Sequence, residues 1–279
     1  MSQEFHDAYH EPLTARGSAF PLRFVVGFKK SFNTRNNNFS SVSDNLQNET
    51  GKQISFDYVT QSLYPENKPN KSWQFKGENV KNFQKIAETN IQDYEAIIEK
   101  CLSIAKRKFP NKGNRIVDIG SARGYTLEKF YNAGYTNLFG IDNSQEMLDN
   151  SFKKATLILS EIFPDKLESI DMAIANWTLH FIQNRKEYIQ SIYDSLQEGG
   201  VFVLSDKVTS PKDIHDMYHD FKRKNGLTEE QIREKESSIV GVLVPYPLEW
   251  YFTTLQEIGF KDISIIDAGF SFVTIYCTK

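Results

Sequence analysis

A chain of 279 residues with 39% hydrophobic and 25% charged side chains can bury one large domain, or one domain with a sizeable appendage, around a real core. Its net charge of −3 and pI of about 6.0 disfavour a nucleic-acid partner, which usually needs a basic surface. The two cysteines, Cys101 and Cys277, form no disulfide framework or metal-type pair, and no run reaches the ~20 apolar residues of a membrane span. Glu4, Asp7 and Glu11 interrupt any apolar leader, so a soluble, cytoplasmic protein is expected.

Residues 1–85 show no clear period. The aromatic stretch Gly17–Phe28 suits a strand or hairpin, and the Asn/Ser-rich Asn33–Thr50 suits an exposed loop. Phe56, Tyr58, Tyr64, Trp73 and Phe75 follow, broken by Pro65 and Pro69. This segment reads either as an extension packing a few aromatics on the main domain or as a lid over a small substrate. Residues 86–279 read as the main domain. Ile86, Tyr94, Ile97, Ile98, Cys101, Leu102 and Ala105 recur at helical spacing, predicting one helix from Val80 to Phe109, with Lys106, Arg107 and Lys108 at its negative end.

Strands and helices then alternate. Arg115–Ile119, Asn137–Ile141, Ala155–Leu159, Ser169–Ala175 and Val201–Ser205 are predicted strands. Helices are predicted over Thr126–Asn132, from Gln145, and over Asn184–Leu196 with Gly199-Gly200 as its stop. This spacing specifies a mostly parallel, doubly wound α/β sheet. A charged helical insertion, residues 212–240, follows strand five in two pieces joined at Asn225-Gly226. Ile214, Met217, Tyr218 and Phe221 form its first stripe, and Thr228 with Gln231 forms a capping box for its second piece. Pro247–Ile258 is a further helix. Asp262–Ile266 and Phe272–Cys277 are closing strands, paired antiparallel across Ala268-Gly269.

Four strand ends carry the candidate chemistry. Gly120 and Gly124 follow strand one, with Asp118 inside it and Ser121 in the turn. The turn has neither the Gly-x-Gly-x-x-Gly order of a dinucleotide site nor the Lys-Ser/Thr of a P-loop. It can instead admit a flat, zwitterionic ligand such as S-adenosyl-L-methionine (SAM). Asp142, ending strand two, suits both ribose hydroxyls, or else stabilises the following helix N-terminus. Asn143 suits an adenine edge. Glu161 and Ile162 follow strand three, and Asn176 with Trp177 follows strand four. All fall at the carboxyl edge, where open α/β sheets bind ligands.

Val-Asp-Ile-Gly-Ser-Ala-Arg-Gly, Gly-Ile-Asp-Asn-Ser-Gln-Glu-Met-Leu (140–148), Asp-Met-Ala-Ile-Ala-Asn (171–176) and Gln-Glu-Gly-Gly (197–200) resemble the motifs of class I SAM-dependent methyltransferases. That resemblance implies a seven-stranded Rossmann-like sheet. Asn-Trp-Thr-Leu-His-Phe (176–181) and His-Asp-Phe-Lys-Arg-Lys-Asn-Gly (219–226) look like the narrower family of carboxy-SAM synthases, from about Asn90 to the C-terminus. By that resemblance Tyr94, Gly120, Asp142, Asn143, Glu161, Ile162 and Asn176 contact the cofactor, and a homodimer forms through 212–240. The family holds the extra carboxylate with an arginine whose register here is taken by Glu236, beside Lys235. Glutamate would repel that carboxylate.

Plain SAM, donating methyl to a small-molecule acceptor, is therefore expected. The alternatives are a carboxy-SAM synthase-like or RNA-modifying enzyme, and a SAM-binding protein without catalysis. His180 is the candidate general base, or else a histidine hydrogen-bonded at the sheet edge. His215 and His219 have metal-like spacing, but with no third ligand evident no metal is expected, and a structural or substrate-lining role is preferred. Tyr218 and Trp250 either line the acceptor pocket or belong to the core.

Overall fold

The computed structural model describes residues 75–279. The expected strand or hairpin at Gly17–Phe28, the loop at Asn33–Thr50 and the aromatics from Phe56 to Trp73 lie outside the described residues. Seven strands form one sheet in the order β3-β2-β1-β4-β5-β7-β6. They are β1 (Ile116–Ile119), β2 (Leu138–Asp142), β3 (Thr156–Leu159), β4 (Ile170–Asn176), β5 (Leu196–Lys207), β6 (Lys261–Gly269) and β7 (Phe272–Thr278). The first five run parallel, while β7 inserts antiparallel between β5 and β6. β1 and β4 are buried at every residue. Their mostly apolar sequences, interrupted by Asp118, Asp171 and Asn176, suit strands covered on both faces.

Nine helices are described: α1 (Glu78–Lys81), α2 (Phe83–Asn90), α3 (Tyr94–Lys108), α4 (Tyr125–Asn132), α5 (Gln145–Asp149), α6 (Arg185–Ser195), α7 (Lys212–Lys224), α8 (Glu229–Ile239) and α9 (Leu248–Ile258). On one sheet face α3 and α4 pack Cys101, Leu102, Leu127 and Phe130 against Ile116, Met172 and Val203. On the other, α6 and α9 pack Ile189, Ile192, Tyr251 and Leu255 against Val117, Ala173 and Phe202. Both cysteines are buried and free. No described helix is long and apolar enough to cross a membrane.

The structure corrects several boundaries. The single helix expected from Val80 to Phe109 is three, because Asn82 and the Ile91–Asp93 link leave the helical conformation, and Asp93 takes φ 54°. The boundary drawn at residue 85 falls inside α2, and Val80 packs on Ala122 and Met147. Gly199-Gly200 does not precede strand five but lies within it. Leu196 pairs with Ile170 and Val201 with Met172, so the intervening residues bulge. The closing hairpin turns at Phe270-Ser271 rather than at Ala268-Gly269, since Gly269 pairs with Phe272. The two pieces of the insertion and the Thr228–Gln231 capping box form as expected, although Met217 is half exposed.

A buried polar knot ties α6 and α9 to the strand ends. The Arg185 side chain, 1% exposed, donates to the carbonyls of Leu179 and Val244, each at 2.7 Å, and to the Tyr251 hydroxyl at 2.9 Å. Tyr251 in turn donates to Asp206. Replacing Arg185 by Leu leaves the Val244 carbonyl without this donor, leaves the Leu179 carbonyl with only the Ile182 amide, and removes a cation that stabilises buried Asp206. The expected loss is about 3–5 kcal/mol in urea unfolding. Lys186→Ala, which cuts the exposed pair with Glu257, should cost under about 1 kcal/mol.

Candidate cofactor and acceptor site

The chain leaves β1, winds β2 and β3 to one side, then returns to β4 on the other. The crevice at that reversal is where open α/β sheets bind ligands. A cavity of about 690 Å³ opens there, within the roughly 300–1,000 Å³ of small-molecule sites.

The glycine turn forms its floor. The Gly120 and Ser121 amides both donate to the Ile141 carbonyl, at 2.8 and 3.0 Å, and fasten the turn to β2. Gly120 has φ +70°, and a Cβ there would meet Thr178 Oγ1 at 2.0 Å. Thr178 itself bridges the Ile119 and Asn176 carbonyls at 3.1 and 3.0 Å. Gly120 is thus demanded by the protein's own packing, before any ligand is considered. Gly124 departs from expectation: it does not line the cavity. It takes φ +75° as the N-cap of α4, and its missing side chain makes room for Ser151 and Phe152.

Asp142 spans the turn and the next helix. One carboxylate oxygen accepts the Ala122 amide at 2.9 Å and the other the Ser144 amide at 2.8 Å. Burial raises its pKa, against those amides. Asp118, 3% exposed in β1, is pushed up to about 8 by burial and then by Asp142, with a Thr126 hydrogen bond opposing. Ser121 Oγ is buried without a hydrogen-bond partner. A buried carboxylate, a partly buried one and an unsatisfied hydroxyl suit a ligand carrying cationic centres and hydroxyls. SAM, with its ammonium, sulfonium and ribose diol, fits that set.

The other expected cofactor residues also line the cavity. Tyr94, Asn143, Glu161, Ile162 and Asn176 all do so, with Ile162 69% exposed at the rim. The Tyr94 ring stacks between Trp177, at 4.8 Å, and Tyr125, at 6.1 Å. The Asn176 amide is engaged within the sheet, accepting the Ser205 hydroxyl at 2.9 Å. Trp177 takes φ +56°, a costly conformation for a bulky residue and a common mark of a functional turn.

His180 lines the cavity and is 2% exposed. Its Nδ1 lies against the Asp206 carboxylate, with the Lys207 amide 3.3 Å from the same nitrogen; a proton held at Nδ1 toward Asp206 leaves Nε2 as the basic nitrogen. Burial alone would raise Asp206, but His180, Arg185 and Tyr251 together hold it below the usual carboxylate range.

Across the switch point the wall turns cationic. Lys207 ends β5, Lys222 comes from α7 and Lys235 from α8, and all three line the cavity. Burial lowers Lys207 to about 8, against Glu236. Burial and then Lys207 lower Lys222 to about 8. The Tyr218 ring faces both ammonium groups, at 5.0 and 4.3 Å. Glu236 is not a lone charge. Its Oε1 contacts His219 Nε2, with His215 Nε2 at 3.3 Å and Lys222 Nζ at 3.8 Å. Burial opposes ionisation, yet the two histidines and Lys222 bring Glu236 down to about 2. The third group near His215 and His219, not evident in the sequence, is thus Glu236. Trp250 packs against Tyr246 and Tyr251 outside the cavity lining, while Tyr218 lines it.

A parallel five-stranded run closed by an antiparallel pair, with this acidic crevice at the switch point, defines a class I SAM-dependent methyltransferase. Residues 117–204 match the family model of the methyltransferase domain. The chain belongs to the carboxy-S-adenosyl-L-methionine synthase family. It is 33% identical to the synthase of Staphylococcus epidermidis over 74% of this chain and 97% of that one. It is 29% identical to the synthase of Nautilia profundicola over 76% and 97%. Among solved structures it resembles the plantazolicin methyltransferase BpumL in complex with a pentazolic desmethylPZN analog and S-adenosylhomocysteine. That match has a TM-score of 0.55 at 16% identity and covers 72% of this chain and 90% of that one. A possible histamine N-methyltransferase of Thermotoga maritima gives 0.52 at 16% identity, covering 72% and 97%.

Folded Asp118 keeps its proton to about pH 8, whereas an unfolded aspartate releases it near pH ~4. The folded state therefore binds more protons between those values, and stability falls as pH rises through the window. Asp118→Asn should flatten the decline in Tm of the ligand-free protein between about pH 5 and 8, measured by calorimetry. An unchanged slope would contradict the buried, protonated state.

Proposed function

We propose that this chain transfers the methyl group of SAM to a small acceptor that carries a carboxylate or phosphate. The observation behind the reading is the polarity of one cavity. Asp118 and Asp142 stand at the ends of β1 and β2, while Lys207, Lys222 and Lys235 stand on β5, α7 and α8. Bound at the acidic side, SAM supplies an electrophilic methyl group whose transfer depends mainly on in-line positioning. Tyr94, Gly120, Ser121, Asp142, Asn143 and Asn176 would hold it, with Glu161 and Ile162 at the rim. The lysines orient the anionic acceptor by charge. His180, fixed through Nδ1 by Asp206, takes a proton at Nε2 from acceptors that must lose one.

A second reading is carboxy-SAM synthesis. It is favoured by the names of the relatives at up to 33% identity and by the partners that compensate Glu236. The lysines would then receive the transferred carboxylate.

Isothermal titration with SAM, carboxy-SAM and S-adenosylhomocysteine separates the two. On the methyl-transfer reading SAM binds at least as tightly as carboxy-SAM, and mass spectrometry of co-purified ligand finds no carboxylated species. Tighter binding of carboxy-SAM would transfer the assignment to the second reading, and no binding of any of the three would end both. Asp142→Ala should weaken SAM at least tenfold, about 1.4 kcal/mol, with the fold intact by circular dichroism.

A further inference from the structure

The group formed by α7 and α8 beside the cavity is not explained by SAM or by an anionic acceptor. His215 and His219 stand one turn apart on the same face of α7, their rings 4.4 Å apart. The α7–α8 turn and the Thr228 capping box set the start of α8, and Glu236 on it faces both rings. The three candidate ligand atoms all lie within 4.8 Å of one another.

We propose that His215, His219 and Glu236 bind a divalent transition cation of the zinc class. Two imidazoles and one carboxylate are the donor set that such borderline cations prefer, and three protein ligands leave a position open for water or a substrate oxygen. Ligand atoms of a tetrahedral zinc site, at about 2.0–2.1 Å from the metal, stand about 3.3 Å from one another. His215 Nε2 and Glu236 Oε1 are 3.3 Å apart, whereas His219 Nε2 and Glu236 Oε1 are 2.5 Å apart in a direct hydrogen bond that must open for both to ligate one cation.

A second observation points to a ligand. His215 is 9% exposed, and its Nε2 is buried without a hydrogen bond although the carboxylate is near. A simple ion pair would need one well-aligned histidine. Leaving an imidazole nitrogen buried and unsatisfied is unfavourable, and its coordination to a cation would remove that cost. Glu236 also lines the cavity, so the cation would border the space assigned to the acceptor. Lys222 Nζ lies 3.8 Å from Glu236 Oε1 and competes for the same carboxylate.

The site is tested without SAM or turnover, so its failure is distinguishable from failure of the methyl-transfer reading. The full chain is stripped with a chelator and titrated with Co²⁺ under visible absorption, then with Zn²⁺ in competition. The expected result is one Co²⁺ per chain with intensified d–d bands that Zn²⁺ abolishes. His219→Ala and the conservative Glu236→Gln should each weaken binding at least tenfold. Lys222→Met, which removes the competing ammonium, should tighten it. Circular dichroism reports whether each variant is folded. A spectrum that remains that of hydrated Co²⁺, or equal binding by wild type and folded Glu236→Gln, overturns the proposal.

Discussion

Thr178 Oγ1 occupies the space that a side chain at residue 120 would fill, and the geometry of the crevice follows from that approach. Thr178 bridges the carbonyls of Ile119 and Asn176, clamping together the ends of β1 and β4 at the switch point. With Gly120 held at φ +70°, its amide and that of Ser121 turn onto the Ile141 carbonyl. The Ala122 amide then reaches Asp142. Three strand ends are thereby fixed by hydrogen bonds made within the protein. A ligand entering the crevice meets a site already organised, which lowers the ordering cost of binding.

That rigidity supports an electrostatic division. Asp118 and Asp142 share the acidic side with no amide or cation sufficient to hold Asp118 ionised. The buried lysines on the other side are lowered by the mirror-image penalty. Each side is therefore held away from its preferred charge state, and ligand charge of the opposite sign relieves it. A cationic cofactor and an anionic acceptor, or an anionic product, satisfy the cavity together better than either does alone. The division follows the topology, since β2 and β5 lie on opposite sides of the β1–β4 pair.

The framework was legible because its signals are local. Predominantly apolar strands, turn residues and the Thr228–Gln231 box each encode their own element, and polar residues at four strand ends marked one edge. What escaped the sequence depends on distant partners. Gly124 has the same residue type as Gly120, yet its space is taken by Ser151 and Phe152. The left-handed backbone at Trp177 leaves no trace in composition. Lys207 and Lys222 read as ordinary charges on a polar stretch, and only the packing shows them buried on the cavity wall. The break at Asp93 could not be read from periodicity, because the apolar spacing continues through it.

Glu236 shows most clearly why charge must be read with its neighbours. Taken alone, a glutamate in the register of an arginine repels a carboxylate. In the fold its Oε1 faces His215, His219 and Lys222, so much of its field is spent on groups of its own chain. Repulsion of a ligand anion then depends on the balance of the whole wall, where three lysines stand near this one carboxylate. Neutral histidines leave that balance positive by charge count. A divalent cation between them would make it more positive still, which would strengthen the attraction for an anionic acceptor while drawing Glu236 further from it. The substitution that argues against one carboxylated ligand thus need not make the site hostile to carboxylates, because its effect is set by the two helices that hold it.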